Sequence, residues 1–368
     1  MLLIYLLFVF SFIPFIQNIL YYDSPCVIKK DNSTGRCVYI QECPHVIPGI
    51  KKWIFPETCF FEKSEVVICC PNKEDSFRIP HTRMDSTPTK PGEKAEEQCS
   101  EYKESLRRSF DPNRLYPVVV GGAKTRKDEF PHMVQIGYDT DNGTSWKCGG
   151  SLISDQYVLT AAHCLSTLNF GEAQHARMGI ISVYQTANLQ QFRIIKRIPH
   201  PNYTASEHYH DIGLAKLSQP ANYNRYVRPA CLHAKHEIDY SWFLLTGWGY
   251  TEYAGESSDF LQKLKLELYD VEKCRNVYRN NRKAMLPSGI RDDIMLCASA
   301  PDAIGDACLG DSGGPLQAIK AYNGNFDNLY SIVGVTSFGK GCALTKGFPG
   351  IYTRVSSYIQ WIEGQVWP

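Results

Sequence analysis

Apolar residues follow different patterns in successive stretches of the chain. Leu2 to Ile16 is a nearly unbroken apolar run and reads as a secretory signal, with a short membrane anchor as the alternative. No Lys or Arg precedes the run and no small-x-small site follows it, so the expected cut lies around Ile16 to Tyr22 and the signal is assigned to residues 1–20. No later segment reaches the roughly 18 to 20 apolar residues needed to span a bilayer. After Val119 the pattern changes to short β-rich runs divided by turn signals, such as Gly149-Gly150-Ser151-Leu152-Ile153 and Tyr157-Val158-Leu159-Thr160. Many such runs predict a barrel or a sandwich. At the end, Val355, Tyr358, Ile359 and Ile362 fall at i, i+3, i+4 and i+7, the stripe of an amphipathic helix.

Two stretches precede the β-rich one. Residues 26–70 hold Cys26, Cys37, Cys43, Cys59, Cys69 and Cys70. About 45 residues cannot fold on a hydrophobic core alone, so disulfides are the expected staple, and spacing alone does not choose among their connectivities. A zinc site is disfavoured: there is no C-x-x-C pair, and adjacent Cys69 and Cys70 are awkward ligands for one tetrahedral ion. Residues 71–118 are charged and Pro-rich, with Thr-Pro-Thr-Lys-Pro-Gly at 87–92, and read as an exposed linker. That linker carries Cys99, whose partner must lie elsewhere.

Charge adds an exclusion. Lys and Arg number 39 against 38 Asp and Glu in 368 residues, so no large field favours nucleic acid or an acidic surface. The total of 14 cysteines is a count that a reducing cytosol rarely uses outside metal sites. The sequons at Asn32, Asn142 and Asn202 are further, modest signs of secretion and candidate glycosylation sites.

Candidate chemistry comes from three separated motifs. Leu159-Thr-Ala-Ala-His163-Cys164 ends a strand on a histidine, His210-Asp211-Ile212-Gly213-Leu214 starts an apolar strand with a carboxylate, and Gly310-Asp311-Ser312-Gly313-Gly314-Pro315 sets a serine among glycines. Each alone has a bland explanation: a core histidine, a strand cap, a tight turn. Serine attacks only when an imidazole takes its proton. The imidazole needs an acceptor on its other nitrogen, and glycines beside the serine let backbone N–H groups converge on an oxyanion.

Together and in this order the motifs resemble the trypsin-like serine peptidases, from Val119-Val120-Gly121-Gly122 to the final helix, about 250 residues. The general template for such a triad is this same family. The resemblance implies an all-β catalytic domain over 119–368, with two six-stranded antiparallel β-barrels and a C-terminal helix. It implies Ser312 as nucleophile, His163 as general base and then acid, Asp211 as the residue orienting His163, and the N–H groups of Gly310 and Ser312 as the oxyanion hole. Asp306 would lie at the base of the primary specificity pocket beside Ala307, with Gly339 and Gly350 as open walls. Ser337-Phe338-Gly339 would pair with substrate backbone, Phe338 standing where the family usually has tryptophan.

Activation would cut between Val118 and Val119, so that the new ammonium pairs with Asp311, with residues 71–118 as linker and pro-region. Cys148–Cys164, Cys274–Cys297 and Cys308–Cys342 follow from the same resemblance, and Cys231 is left for Cys99. The six N-terminal cysteines resemble the clip domain of arthropod proteases, here 26–70, whose connectivity pairs Cys26 with Cys69, Cys37 with Cys59 and Cys43 with Cys70. Where relatives place calcium-binding carboxylates after Arg177-Met178-Gly179, this chain has Ile180 and Gln190, so neither metal nor cofactor is expected.

The implied protein is a secreted zymogen in haemolymph, cleaving after Arg and then Lys within a cascade of innate immunity, melanisation or Toll signalling. Its expected partners are zymogen or cytokine-precursor substrates, an upstream activating protease and a serpin inhibitor, with no nucleic acid and no membrane once the signal is removed. The alternatives are a non-catalytic clip-domain cofactor that binds other proteases, or a venom or digestive enzyme.

Overall fold

The computed structural model describes residues 25–28, 33–39, 43, 46, 56–62, 65–71, 90–108, 123–125, 128–249, 257–279, 285–300, 312–320, 329–339 and 348–368. The chain divides into two compact units, Met1–Thr87 and Pro88–Pro368. The expected signal over 1–20 lies outside the described residues.

In the first unit, β1 (Pro25–Ile28), β2 (Ser33–Tyr39), β3 (Thr58–Glu62) and β4 (Glu65–Pro71) form one antiparallel sheet in the order β1-β2-β4-β3. Cys26–Cys69, Cys37–Cys59 and Cys43–Cys70 are disulfides. Their sulfurs, with Val67 and Ile68, occupy the centre that a larger domain fills with hydrocarbon. They close loops of 43, 22 and 27 residues, each worth about 3–4 kcal/mol against the unfolded chain in the entropic account. Gly35 lets β2 approach β4 closely, since a Cβ there would lie 2.4 Å from the Cys70 carbonyl oxygen.

The second unit is built mainly of strands, with few helices among the described residues. Its strands are β5 (Ala123–Lys124), β6 (Met133–Thr140), β7 (Gly143–Leu152), β8 (Tyr157–Thr160), β9 (Ser166–Thr167), β10 (Gly171–Glu172), β11 (His175–Met178), β12 (Gln190–Pro199) and β13 (Gly213–Leu217). They continue with β14 (Cys231–Leu232), β15 (Phe243–Gly247), β16 (Gln262–Leu268), β17 (Met295–Ser299), β18 (Pro315–Ile319), β19 (Tyr330–Phe338) and β20 (Gly350–Arg354).

The first barrel closes in the order β6-β7-β8-β13-β12-β11, antiparallel throughout. The second closes as β15-β16-β17-β20-β19-β18, sealed by the β19–β20 pairing. The expected two six-stranded antiparallel barrels are therefore present. β14 joins the second barrel by parallel pairing to β19, and β5 by antiparallel pairing to β16. β15, β17 and β19 are buried at every position, which explains why their sequences run apolar instead of alternating.

The C-terminal stripe is realised with a difference. Val355–Tyr358 is a 3₁₀ turn and the α-helix is Ile359–Val366. Val355, Ser356 and Ser357 are poor helix formers, and no side chain caps this segment, so the tighter turn serves as the entry.

Reading 71–118 as exposed linker throughout needs correction. Glu93–Arg108 is a helix, and it docks onto the second unit. Its sixteen residues are mostly strong helix formers, and Ala95, Cys99, Tyr102 and Leu106 fall at i, i+4, i+7 and i+11. That thin stripe is diluted by charge, so hydropathy alone misses it. Cys99 and Cys231 form a disulfide and cluster with Leu329, Tyr102 and Leu106. The Tyr102 hydroxyl donates to the Ile153 carbonyl at 2.9 Å.

The cap of this helix comes from the other end of the chain. Buried Glu363, on the C-terminal helix, accepts from the N–H of Gly92 at 3.0 Å and of Ala95 at 2.9 Å. Lys94 Nζ donates to the Trp367 carbonyl at 2.6 Å. Gly92 has φ +96°, and a Cβ there would meet Ala234 Cβ at 2.7 Å. Glu363 thus satisfies two N–H groups that a helix start leaves without intrahelical partners. Glu363→Ala is expected to lower stability by about 2 kcal/mol, the scale of lost charge-assisted bonds to buried donors, read as a lower urea midpoint. An unchanged midpoint would show the cap to be energetically idle.

Candidate active site

The strand β8 delivers its apolar side chains to the first barrel and hands the chain to a short helix, Ala162–Leu165, on which His163 sits. Asp211 lies two residues before β13 and is buried, its side chain 2% exposed against 34% for His163. The carboxylate holds the histidine twice. Oδ1 accepts from the His163 backbone N–H at 3.0 Å, and Oδ2 lies 2.8 Å from His163 Nδ1. An ionised carboxylate accepts only, so the proton belongs on Nδ1 and Nε2 becomes the ring's acceptor.

Two more hydroxyls complete the grip on Asp211. Ser337 Oγ, on β19, donates to Oδ2 at 2.5 Å, and Thr353 Oγ1, on β20, donates to the Asp211 carbonyl at 2.8 Å. Burial opposes ionisation, yet the His163 charge and the bonds from His163 and Ser337 hold the Asp211 carboxyl below its usual range. Burial would likewise lower the His163 imidazole, but the Asp211 charge and hydrogen bond outweigh it and raise it.

Ser312 sits at the turn leading into β18, stitched to both barrels. Its carbonyl accepts from Gly149 N–H at 2.8 Å, while Gly313 N–H donates to Thr336 and Thr336 N–H to Gly314. The Cys164 sulfur, bonded to Cys148, lies 3.5 Å from the Ser312 carbonyl oxygen and 3.6 Å from His163 Nε2. One sulfur therefore touches both segments and brings them to one place. The glycine after Ser312 has a packing reason of its own. Gly313 has φ +79°, and a Cβ there would stand 2.2 Å from Thr160 Oγ1 and 2.5 Å from the Gly149 carbonyl oxygen.

Beside Ser337, Phe338 is stacked with His208, ring centroids 4.1 Å apart, and meets Tyr278 edge-on at 5.8 Å. Gly339 follows β19 and Gly350 opens β20, paired with Ala298. Cys274 and Cys297 are joined. Asn142, in the β6–β7 turn, and Asn202 are exposed.

Asp306, Ala307, Gly310, Asp311, Cys308, Cys342, Val118, Val119 and Asn32 lie outside the described residues. Ile180 is buried in an apolar cluster, and the Gln190 amide is engaged with the Asn222 backbone in both directions. The cysteines grouped at Cys26, Cys59 and Cys69, and at Cys148 and Cys164 beside His163, are all in disulfides and offer no thiolate. Thr353 and His208 carry no sequence signal; only the meeting of distant strands brings them to Asp211 and Phe338.

Residues 119–362 match the family model Trypsin. The chain belongs to the trypsin family of serine proteases. It is 34% identical over 356 residues to "Serine protease snk" of Drosophila melanogaster, covering 92% of this chain and 77% of that one. It is 30% identical to "Phenoloxidase-activating enzyme 1" of Spodoptera litura, over 91% of both chains. It is also 30% identical to "Venom serine protease Bi-VSP" of Bombus ignitus, over 89% of both. The matched family segment contains both barrels together with His163, Asp211, Ser312, Ser337 and Thr353.

The opposed effects on His163 make a sign test. In the wild type its ring should titrate above its ordinary 6.5. In Asp211→Asn the charge is gone and burial remains, so titration should fall below that value. Histidine NMR of the two proteins checks this, and an unmoved resonance midpoint contradicts the coupling.

Proposed function

We propose that this trypsin-family chain is the secreted zymogen of a serine endopeptidase that cleaves after Arg in preference to Lys. The observation that carries the reading is the fixed His163–Asp211 pair, with Nε2 left as acceptor and the Ser312 segment pinned beside the same cystine. Ser312 Oγ attacks the scissile carbonyl and His163 Nε2 takes its proton. Asp211 keeps the tautomer and stabilises the imidazolium, and the N–H groups of Gly310 and Ser312 receive the oxyanion. His163 then returns the proton to the leaving amine. All three triad residues are retained, which disfavours the non-catalytic cofactor reading.

Asp306 in the specificity pocket demands a cation to offset its desolvation. With Ala307 in place of a hydroxyl, lysine loses a partner that arginine's two-donor fork does without. Residues 26–70 act as a clip domain that docks the enzyme within an extracellular cascade of immunity, melanisation or Toll signalling, upstream of zymogen or cytokine-precursor substrates and under serpin control. The name of one relative points to phenoloxidase activation and that of another to venom, so a venom role stands as the second reading and tissue of expression separates them.

Activation cuts before Val119, after Val118 in Tyr116-Pro117-Val118. Arg114 is too far upstream, because the residues left ahead of Val119 would keep the new ammonium from Asp311. An activator that accepts a small aliphatic residue is therefore required, and the enzyme does not activate itself.

Purified zymogen treated with elastase should gain activity and show a new N-terminus at Val119, whereas trypsin should give little. The activated enzyme should prefer Arg over Lys in matched peptides by about tenfold in kcat/KM, roughly 1.4 kcal/mol. Ser312→Ala should lose several orders of magnitude, on the scale of roughly a millionfold for a triad knockout. Near wild-type hydrolysis by Ser312→Ala removes the enzyme assignment, equal use of Lys removes the role of Ala307, and strong activity after trypsin alone removes the activation reading.

A further inference from the structure

Asp211 occupies the centre of a three-residue turn in which the Ile212 N–H donates to the His210 carbonyl at 2.8 Å. His210 itself has φ +55°. That left-handed conformation costs a residue with a Cβ roughly 1–2 kcal/mol, and it persists where the surroundings over-determine it.

The His210 side chain is where those surroundings act. Its Nδ1 lies 3.0 Å from the Tyr358 hydroxyl, and its ring lies parallel to that of His200, centroids 5.3 Å apart and planes 16° apart. Tyr358 meets both imidazoles edge-on, at 4.9 Å and 5.9 Å, and Trp361 meets His200 edge-on at 5.1 Å. His200 is fixed in turn. Its Nδ1 accepts from the Asn202 backbone N–H at 3.2 Å, and its backbone N–H donates to the Ile212 carbonyl at 3.0 Å. Tyr358 and Trp361 come from the 3₁₀ turn and helix at the C-terminus, so the end of the chain grips the residue that aims Asp211.

We propose that His210 is a positioning residue: clamped by Tyr358 and the stacked His200, it holds the left-handed turn that points the Asp211 carboxylate at His163. This rests on the orienting role of Asp211 put forward above.

The clamp also responds to protons. The charged and titratable groups facing it are Arg291, Asp293, Asp211 and Tyr358, besides the two imidazoles. Burial first, then the positive charge of Arg291 for His210 and of the neighbouring imidazole for His200, keeps both below 6.5, with Asp293 opposing at His210. Protonating His200 at Nδ1 removes the acceptor for the Asn202 N–H. Protonating both puts like charges face to face. His163 titrates above 6.5, so as pH falls the general base is lost first and the clamp second.

The test uses the activated full-length enzyme and an Arg tripeptide substrate. Tyr358→Phe, which deletes one oxygen, should lower kcat about three- to tenfold with KM unchanged. His210→Val, β-branched and ill suited to a positive φ, should lose more than about thirtyfold. His210→Asn, which tolerates that conformation, should recover most of the loss. In the wild type the acid limb of log kcat should steepen beyond a slope of one below pH 6.5, and in His210→Asn, which keeps one of the two imidazoles, it should steepen less. Melting temperatures establish that each variant is folded. Folded Tyr358→Phe and His210→Val with kcat within about twofold of wild type overturn the proposal, as does a slope of one throughout in the wild type. Asp211→Asn with near wild-type activity would instead remove the orienting role on which the proposal stands.

Discussion

A carboxylate with 2% of its side chain exposed stays ionised only when donors surround it, and the site is built around meeting that requirement for Asp211. The donors come from His163 after β8 and from Ser337 on β19. Thr353 on β20 holds the backbone of the same residue. No single barrel contains all of them. Closing the two barrels and bringing them together is therefore the same event as making the carboxylate tolerable, and the orientation of His163 follows from it.

The serine segment obeys a steric version of the same constraint. Gly149 on β7 and Gly313 just before β18 approach until a Cβ at Gly313 would clash with the Gly149 carbonyl oxygen and the Thr160 hydroxyl. The Cys148–Cys164 bridge then lies between the imidazole and the Ser312 carbonyl. Small residues here allow backbone from the two barrels to touch, and one sulfur sits against both the His163 ring and the Ser312 carbonyl.

The C-terminal 3₁₀ turn and helix together serve two purposes. Glu363 on the helix caps the Glu93–Arg108 helix, and Tyr358 at the end of the turn and Trp361 on the helix brace His200 and His210 behind Asp211. The Glu93–Arg108 helix is a built-in part of the second unit, joined by a disulfide, a carboxylate cap and the Tyr102 hydroxyl. Glu363 and Tyr358 stand only five residues apart, so the seat of the Glu93–Arg108 helix and the support of the Asp211 turn share one short segment.

Much of this architecture was legible in the chain. Short β-rich runs announce an all-β domain because each strand must bury one or both faces, and the C-terminal stripe announces its helix because burial repeats with the helical period. His163, Asp211 and Ser312 stand out because their chemistry needs those side chains in those local settings. What the chain conceals is contact between distant segments. The Glu93–Arg108 helix has too few apolar positions to be seen without the groove it fills, and its cap is a glutamate about 270 residues away. Thr353 and Ser337 are ordinary hydroxyl residues in strands until the barrels close on Asp211, and His210 is ordinary until its φ and its neighbours are known. Local propensity and periodicity are properties of neighbours in sequence, so the sequence by itself determined strands, helix and reactive side chains. Satisfying a buried charge, capping a helix and holding a strained turn depend on neighbours in space, and those the tertiary structure decided.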